Sequence, residues 1–499
     1  MVEMFSLLNK HVNSEEPAEK PVFFLDLNID QIIDKISEDW VEDIRDLYYA
    51  LPADQETEDY RRAIFEEVKR EGILPVLMEF LELMRQRAAC MERKEKVEDA
   101  DQKHVWHIQE AGYYVDALEM LRNKLGENSF QSEGMKGLME CLTRCVSDTE
   151  YRAFREEVLE LRNELSGFRI LLTYEKDRFA VSEGTGKGAY TDFLSECFPE
   201  HNKTFKSPFL SFPETSDLEW EAIRIFKKGH KDFFYGAEKF YRNHKEYAHE
   251  EILLLQKETA YYAAYLRFML KMQEQGFEFC TPSVSGDRLS ATGLYDLALA
   301  LASLENGKAI VSNDVDLWKE ESFFVLTGPN QGGKTTFARS LGQLVYFSKM
   351  GLDVPAREAL VPYYKKILTH FSVEESAETG RGKLMDELMR LQPMMGDEQA
   401  GAFVVINELF TTAANYDACI MGKKVLEYFI DKNCTGIYVT HLNELSKACP
   451  SVVSLRASVD ENLIPTYIIG RNEAKELVGA NRQVEKYGLT YKQIKERFL

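Results

Sequence analysis

Nowhere in the chain do about 18 apolar residues follow one another, the minimum for a membrane-spanning helix. The start, Met1-Val2-Glu3-Met4, has neither the basic stretch nor the apolar core of a secretory signal, so none is expected. Cysteine is scarce and scattered, with eight among 499 residues. Only Cys141 and Cys145 lie close together, and the three residues between them fit neither a redox pair nor a zinc ribbon. A reduced, cytoplasmic setting is expected. Positive charge is short as well. Lys and Arg number 61 against 83 Asp and Glu, a formal net charge of −22. That balance argues against a protein that coats nucleic acid nonspecifically, because phosphate binding draws on Lys and Arg releasing counterions. Internal repeats and low-complexity tracts are missing too. What is present, 44% hydrophobic and 29% charged residues, is the balance of a globular chain of about two to four domains.

The charge deficit is uneven. Residues 301–499 hold 23 basic and 25 acidic residues, a net of −2, whereas residues 1–300 hold 38 and 58, a net of −20. The two parts are electrostatically different objects.

After a polar stretch expected to be mobile (1–22), Ile29, Ile32, Ile33 and Ile36 form a helical stripe with Asp26 or Asn28 as N-cap. Residues 40–165 are poor in Gly and Pro. Within them Ile73, Leu77, Phe80, Met84 and Ala88, and later Phe154, Val158, Leu161 and Leu165, repeat at helical spacing. Two short strands are predicted near 168–174 and 178–181, followed by a Gly-rich connection at 184–188. A long helical run is predicted from about 217 to 275. Ile252, Leu255, Thr259, Tyr262, Leu266 and Met269 make a heptad-like seam in it, and Gly276 ends it. A helix near Tyr295–Leu304 follows. From about 308 onward, apolar strand-like runs alternate with helical stretches, the pattern of an α/β sheet.

Three strand ends in that last part carry polar residues. Phe323-Phe324-Val325-Leu326-Thr327 runs into Gly328-Pro329-Asn330-Gln331-Gly332-Gly333-Lys334-Thr335-Thr336, a G-x-x-x-x-G-K-T pattern between a buried strand and a helix. That is the context a phosphate loop requires. Its backbone N–H groups would converge on phosphates at a helix N-terminus, with Lys334 on the β- and γ-phosphates and the Thr335 hydroxyl on Mg²⁺. Ala402-Phe403-Val404-Val405-Ile406 ends in Asn407-Glu408. Glu408 stands where ATPases orient the attacking water, while Asn407 offers a neutral oxygen where an Asp normally holds Mg²⁺. Gly436-Ile437-Tyr438-Val439-Thr440 ends in His441, whose imidazole could bond a γ-phosphate or the lytic water. An ordinary strand terminus or a surface histidine is the bland alternative for the latter two. Elsewhere His104 with His107, the spaced His244 and His249, the Lys227-Lys228 and Lys423-Lys424 pairs and Phe233-Phe234-Tyr235 read as packing or solvated faces.

Residues 308–499 resemble the ATPase domain of the MutS mismatch-repair family, a branch of the ABC ATPases. Thr327 to Thr336 is similar to the family's T-G-P-N-M-G-G-K-S-T, Gly351 to Ala356 to its G-x-x-V-P-A, Tyr416-Asp417 to its Y-D, and Thr440-His441 to its T-H. Upstream, Tyr60 to Phe65 and the 250–282 region are similar to its helical core and lever. The resemblance implies ATP and Mg²⁺ as ligands, Asn330 beside the phosphates, and a site completed in trans within a homodimer. It also implies a DNA-repair setting, with DNA of unspecified structure as a partner and no membrane. Ile310 aligns near the family's adenine-stacking aromatic and would give only apolar contact with the base. Thr379-Gly380-Arg381-Gly382-Lys383-Leu384 replaces the family's S-G-R-S-T-F. Gly382 thereby takes the place of the Ser that contacts a partner's γ-phosphate, and Lys383 would substitute a charge. Leu409 to Asn415 replaces I-G-R-G-T-S-T. No mismatch-reading domain is expected before the helical region, and Phe80-Leu81-Glu82 matches the family's Phe-x-Glu reader only as a string inside a helix.

The expected architecture is a flexible 1–22, a mainly α-helical core/lever region over 23–304 with a strand-containing insertion near 167–215, and an α/β phosphate-loop ATPase domain over 305–499. The expected activity is ATP hydrolysis at a composite dimer site that drives the lever helices. The alternative is a nucleotide-gated scaffold with little turnover and no mismatch recognition.

Overall fold

The computed structural model describes residues 4–10, 19–38, 40, 43–167, 170–175, 178–183, 226–284, 286, 288–372, 383–462, 464–472 and 494–495. The helices in chain order are α1 (Phe23–Asp26), α2 (Ile29–Ser37), α3 (Arg45–Tyr49), α4 (Gln55–Val68), α5 (Ile73–Lys96), α6 (Ala100–Gly126), α7 (Glu133–Ser147), α8 (Thr149–Gly167), α9 (Lys231–Asn243), α10 (Glu250–Glu274), α11 (Leu297–Asn306), α12 (Lys334–Lys349), α13 (Lys383–Leu391) and α14 (Asn415–Asp431). The strands are β1 (Ile170–Glu175), β2 (Arg178–Glu183), β3 (Ser283–Val284), β4 (Leu289–Leu294), β5 (Asn313–Leu317), β6 (Phe323–Thr327), β7 (Glu358–Val361), β8 (Ile367–Phe371), β9 (Phe403–Asn407), β10 (Thr435–Val439), β11 (Val452–Val459) and β12 (Pro465–Arg471). A helical N-terminal region thus precedes a C-terminal α/β sheet domain. No helix among the described residues is long and apolar enough to cross a membrane. The chain divides into one compact unit of residues 1–74, 130–136 and 257–499, and another of 75–129 and 137–256.

The second unit is built from helices whose apolar stripes face inward. Phe80, Met84, Leu118, Leu121, Phe154 and Val158 are all buried, each within its predicted stripe or on the long α6. The predicted strand pair is an antiparallel β1–β2 hairpin. The helical run predicted from 217 to 275 is broken at 244–249, and its first nine residues lie outside the described set. Tertiary hydrogen bonds replace the helical ones at this break. The His244 carbonyl meets His107 Nε2 at 2.9 Å, the Tyr247 hydroxyl donates to Glu110 at 2.7 Å, and the His249 amide donates to the Tyr114 hydroxyl. Despite burial, hydrogen bonds from His107, Lys94 and Tyr247 hold the Glu110 carboxyl down to about 2. His107 is therefore part of a packed ion network, with His104 against Tyr241 beside it.

In the first unit, six strands form a sheet in the order β12-β11-β6-β10-β9-β8. The run β11-β6-β10-β9-β8 is parallel and β12 is antiparallel to β11. Strands β6 and β9 are buried at every position, as parallel strands covered on both faces must be. Helix α12 is buried along most of its length, and loop atoms of the N-terminal segment pack onto it. Arg339 Nε donates to the Asp26 carbonyl and Gln343 Nε2 to the Leu27 carbonyl, both at 2.9 Å. Asn28 does precede α2 as expected, but in a left-handed conformation and without a side-chain capping bond.

The heptad-like seam of α10 is buried throughout. Its Glu258 takes hydrogen bonds from Ser6 Oγ and the Leu7 amide, while Tyr60, Arg61 and Tyr262 hold the carbonyls of Ser6, Leu8 and Leu7. Burial pushes the Glu258 carboxyl up to about 7, against the lowering effect of those bonds. Its native form therefore keeps a proton that the unfolded chain releases near pH 4.5. Stability from this group is full below that pH and is lost as pH rises toward 7, by about 3 kcal/mol in all. Urea unfolding between pH 5 and 8 is expected to show this decline, and Glu258→Gln should remove about one proton's worth of the slope. An unchanged slope in the variant would assign the decline elsewhere, to Glu58 beside Lys349 first, since burial also raises Glu58 to about 7.

Candidate functional site

The parallel strands β6, β9 and β10 end on one edge of the sheet, where α/β proteins place their chemistry. Strand β10 lies between β6 and β9, with Val439 opposite both Leu326 and Asn407. The turn after β6 runs directly into α12, whose N-cap is Gly333. Gly328 and Gly333 have φ of +139° and +82°, which non-glycine residues rarely adopt. Gln331, between them, is also left-handed at +61°. Gly328 has a second reason to lack a side chain, since a Cβ there would come within 2.8 Å of Ala457 Cβ and 3.1 Å of its backbone.

Lys334 opens α12 and is only 5% exposed. Its Nζ donates to the carbonyls of Gly328 and Pro329 at 3.1 and 3.0 Å, folding the side chain back over its own loop. Burial lowers its pKa, and the nearby Glu408 carboxylate opposes that shift. Next to it, Thr335 Oγ1 donates to Asn407 Oδ1 at 3.0 Å, joining the first turn of α12 to the end of β9. Asn407 is buried and Glu408 half-buried. Glu408 has φ of +54°, and its amide bonds the Val439 carbonyl at 2.9 Å.

A cavity of about 650 Å³ opens over this loop. Asn330, Gln331, Gly332, Gly333, Lys334, Thr335, Thr336, Ile310 and Glu408 all line it. Gly328 and Pro329 contribute through their carbonyls behind Lys334, and Asn407 through Thr335. His441 is exposed at the end of β10 and is not among the lining residues. Gly382 lies outside the described residues. Lys383 is the first residue of α13, and its side chain is likewise undescribed.

Other contributors escaped the sequence reading. Leu299, Ala302 and Ser303 of α11 form one wall with Ile310 and Val311. Tyr467 stands over the loop on β12, with Cδ1 3.3 Å from where a Gly333 Cβ would be. Asn313 fixes that strand, donating to the Tyr467 carbonyl and accepting from the Ile469 amide. A helix is expected near Tyr295–Leu304, but no local signal shows that the exposed Leu299 of α11 faces a cavity. Tyr467 arrives by way of the antiparallel pairing of β12 with β11, 134 residues beyond Gly333, a non-local event.

Among other side-chain clusters, Cys141, Cys145 and Glu251 have ligand atoms within 4.8 Å of one another, with Arg144 gripping both oxygens of Glu251 at 2.7 Å. The carboxylate is thus engaged in an ion pair.

Residues 324–482 match the family model described as MutS domain V. A DNA mismatch repair protein MSH6 of Arabidopsis thaliana is 35% identical over 176 residues, 34% of this chain and 13% of that protein. A DNA mismatch repair protein MutS of Shouchella clausii is 27% identical over 157 residues, 30% of this chain and 18% of that one. One of Chlamydia trachomatis is 28% identical over 220 residues, 42% of this chain and 26% of its own length. The matched segment is thus a minor part of each of these relatives. Over it, the chain is MutS-related.

Both glycines of the loop are open to test. Gly328→Ala combines an unfavourable φ with a backbone collision and should cost about 2–4 kcal/mol in urea unfolding. Gly333→Ala meets only the edge of Tyr467 and should cost about 1–2 kcal/mol. Equal losses would show that the contact with Ala457 does not constrain the loop.

Proposed function

We propose that the loop 328–336 binds ATP and that the chain hydrolyses it, in MutS-like, DNA-repair-related work. The bond between Thr335 and Asn407, with the buried Lys334 beside it, is the observation that carries this reading. A hydroxyl and a carbonyl oxygen are held together next to a cation at an open helix N-terminus, in a cavity with one apolar wall. The donor set fits a nucleotide triphosphate with Mg²⁺: phosphates on the loop amides and Lys334, the metal on Thr335 and Asn407, the base against Ile310 and α11. Bound there, Mg²⁺ would supply charge neutralisation of the phosphates.

The protein's own groups then have distinct tasks. Lys334 exchanges its two carbonyl partners for phosphate oxygens, which compensate a buried cation better than neutral carbonyls do. Glu408 orients the attacking water for in-line displacement at the γ-phosphate, and His441, outside the cavity lining, takes the role of γ-phosphate sensor from the family resemblance alone. Gly382 and Lys383 belong to the segment that would complete a second subunit's site, so the working form is a homodimer. Changes at the nucleotide would then move the long helices that hold DNA or another partner.

A second reading is favoured by one observation, the neutral Asn407. A carboxamide holds a divalent cation less strongly than a carboxylate, so the site would bind nucleotide and gate an assembly with little turnover. Steady-state phosphate release separates the two readings. Lys334→Ala should reduce ATP turnover by about 100-fold or more, and unchanged turnover there would remove the site. Asn407→Asp should raise kcat roughly tenfold, about 1.4 kcal/mol of barrier, if the natural site is attenuated. Brisk wild-type hydrolysis with no gain from Asn407→Asp would discard the gating alternative. For the DNA role, binding to duplex, mismatched and branched DNA should appear with a steep salt dependence, and no binding at low salt with or without ATP would remove it.

A further inference from the structure

We infer that Glu387 is the positioning residue for Glu408. The inference rests on the reading of Glu408 as the group that orients the attacking water, and names what holds it in place. Glu408 and Phe410 both have left-handed backbones, at φ of +54° and +63°. Such a backbone is strained in a non-glycine residue and persists only where its surroundings over-determine it. Packing supplies part of that determination: Leu409 and Phe410 are each 2% exposed and share a core cluster with Leu391, the last residue of α13, and Met394 just beyond it. Hydrogen bonding supplies the rest. The Glu408 amide is tied to Val439 of β10, and the Phe410 amide donates to Glu387 Oε2 at 3.1 Å.

Glu387 is a carboxylate-bearing side chain only 4% exposed, on a helix whose opposite face shows Met385, Leu388 and Met389 to solvent. Its inward direction is fixed from behind. Arg390 Nη1 donates to the Phe371 carbonyl at 2.8 Å, and His370 Nε2 lies 3.2 Å from the Glu387 carbonyl oxygen. Helix α13 is thereby fastened to the end of β8, and Glu387 reaches from it to the turn after β9. Removing the acceptor leaves a buried N–H unpaired next to two strained residues, so the turn relaxes and Glu408 loses its aim. Lys383 lies one helical turn before Glu387. A contact made by a second subunit at the start of α13 would therefore reach Glu408 through a single side chain.

The test uses the full chain with Glu387→Met, which keeps volume and removes the acceptor, and Glu387→Gln, which keeps an acceptor oxygen. In the Met variant kcat should fall about tenfold or more while the dissociation constant for ATP stays within about twofold, the split expected for a group acting only on the chemical step. The Gln variant should recover most of the loss. Hydrogen exchange at the Phe410 amide should accelerate in the Met variant and stay slow in the Gln variant, a readout that needs no turnover. Unchanged kcat in the Met variant, loss of ATP affinity in step with kcat, or unchanged Phe410 exchange would each overturn the inference. A wild-type chain without turnover instead overturns the reading of Glu408, and the exchange measurement then still decides whether Glu387 holds the turn.

Discussion

Helix α12 is the constraint on which the C-terminal unit depends. Most of it is buried, so its sequence must satisfy neighbours on every side at once. Its apolar residues Phe337, Leu341, Leu344, Val345 and Phe347 fill the core, while its polar ones are assigned individually. Gln343 bonds both the Leu27 carbonyl and Asp296, and Asp296 in turn caps α11, a wall of the cavity. Lys349, 3% exposed at the far end, pairs with Glu58 of α4 and with the Tyr364 carbonyl. A helix held this way cannot slide or rotate without stranding several buried polar groups, each costing about 1–3 kcal/mol. Its N-terminus is thereby fixed beside the ends of β9 and β10. The loop needs glycines at 328 and 333 because both backbones have positive φ, and at 328 a Cβ would also meet Ala457.

That rigidity gives the substitution at Asn407 a definite meaning. In a looser site a shift of neighbouring groups would offset a neutral residue. Here Asn407 sits at the end of a strand paired on both sides, and its side-chain oxygen already accepts from Thr335. Its geometry is therefore retained while its charge is not. Next to the loop stand one buried cation, Lys334, and one half-buried carboxylate, Glu408, with Lys308 and Asp296 elsewhere in the cavity lining. A further carboxylate would oppose nucleotide phosphates in the absence of a metal and favour the metal in their presence. On the proposed reading, the amide would couple nucleotide binding and metal binding less tightly. This is the physical basis for separating affinity from turnover.

The readable and unreadable parts of the molecule divide by locality. The stripe of α2, the periodicity of α5 and α8, the β1–β2 pair and the strand–loop–helix run from Phe323 to Lys349 follow from neighbours within a few residues of each other, and the sequence carried them. The helix break at 244–249 did not show, because its cause is partners on α6, more than 130 residues away. Glu387 was likewise invisible. In sequence it is one acid in an amphipathic stretch, and only the packing of α13 turns it inward. Tyr467 and Asn313 come to the loop by sheet pairing, and Leu299 by the orientation of a helix whose face no local pattern specifies. Residues whose roles rest on motif spacing were legible, and those whose roles rest on tertiary direction were not.

The acidic surplus of residues 1–300 bears on what the helical unit offers a partner. Several of its cations pair with its own carboxylates: Lys124 with Glu79, Arg144 with Glu251, Arg155 with Glu119, Arg162 with Asp116 and Lys227 with Asp101. Surface pairs of this kind contribute only about 0–1 kcal/mol each, so a phosphate backbone could recruit the basic member at small cost. The released carboxylate would then face the same backbone, and the repulsion would have to be relieved by distance or by screening. Arg87 and Lys94 are different, because they serve Glu110 in the interior and giving them up would leave a buried charge uncompensated. Were this unit to hold DNA, its face would draw on the exposed pairs and equally on exposed cations outside them, such as Arg152, Lys228, Lys239 and Lys245.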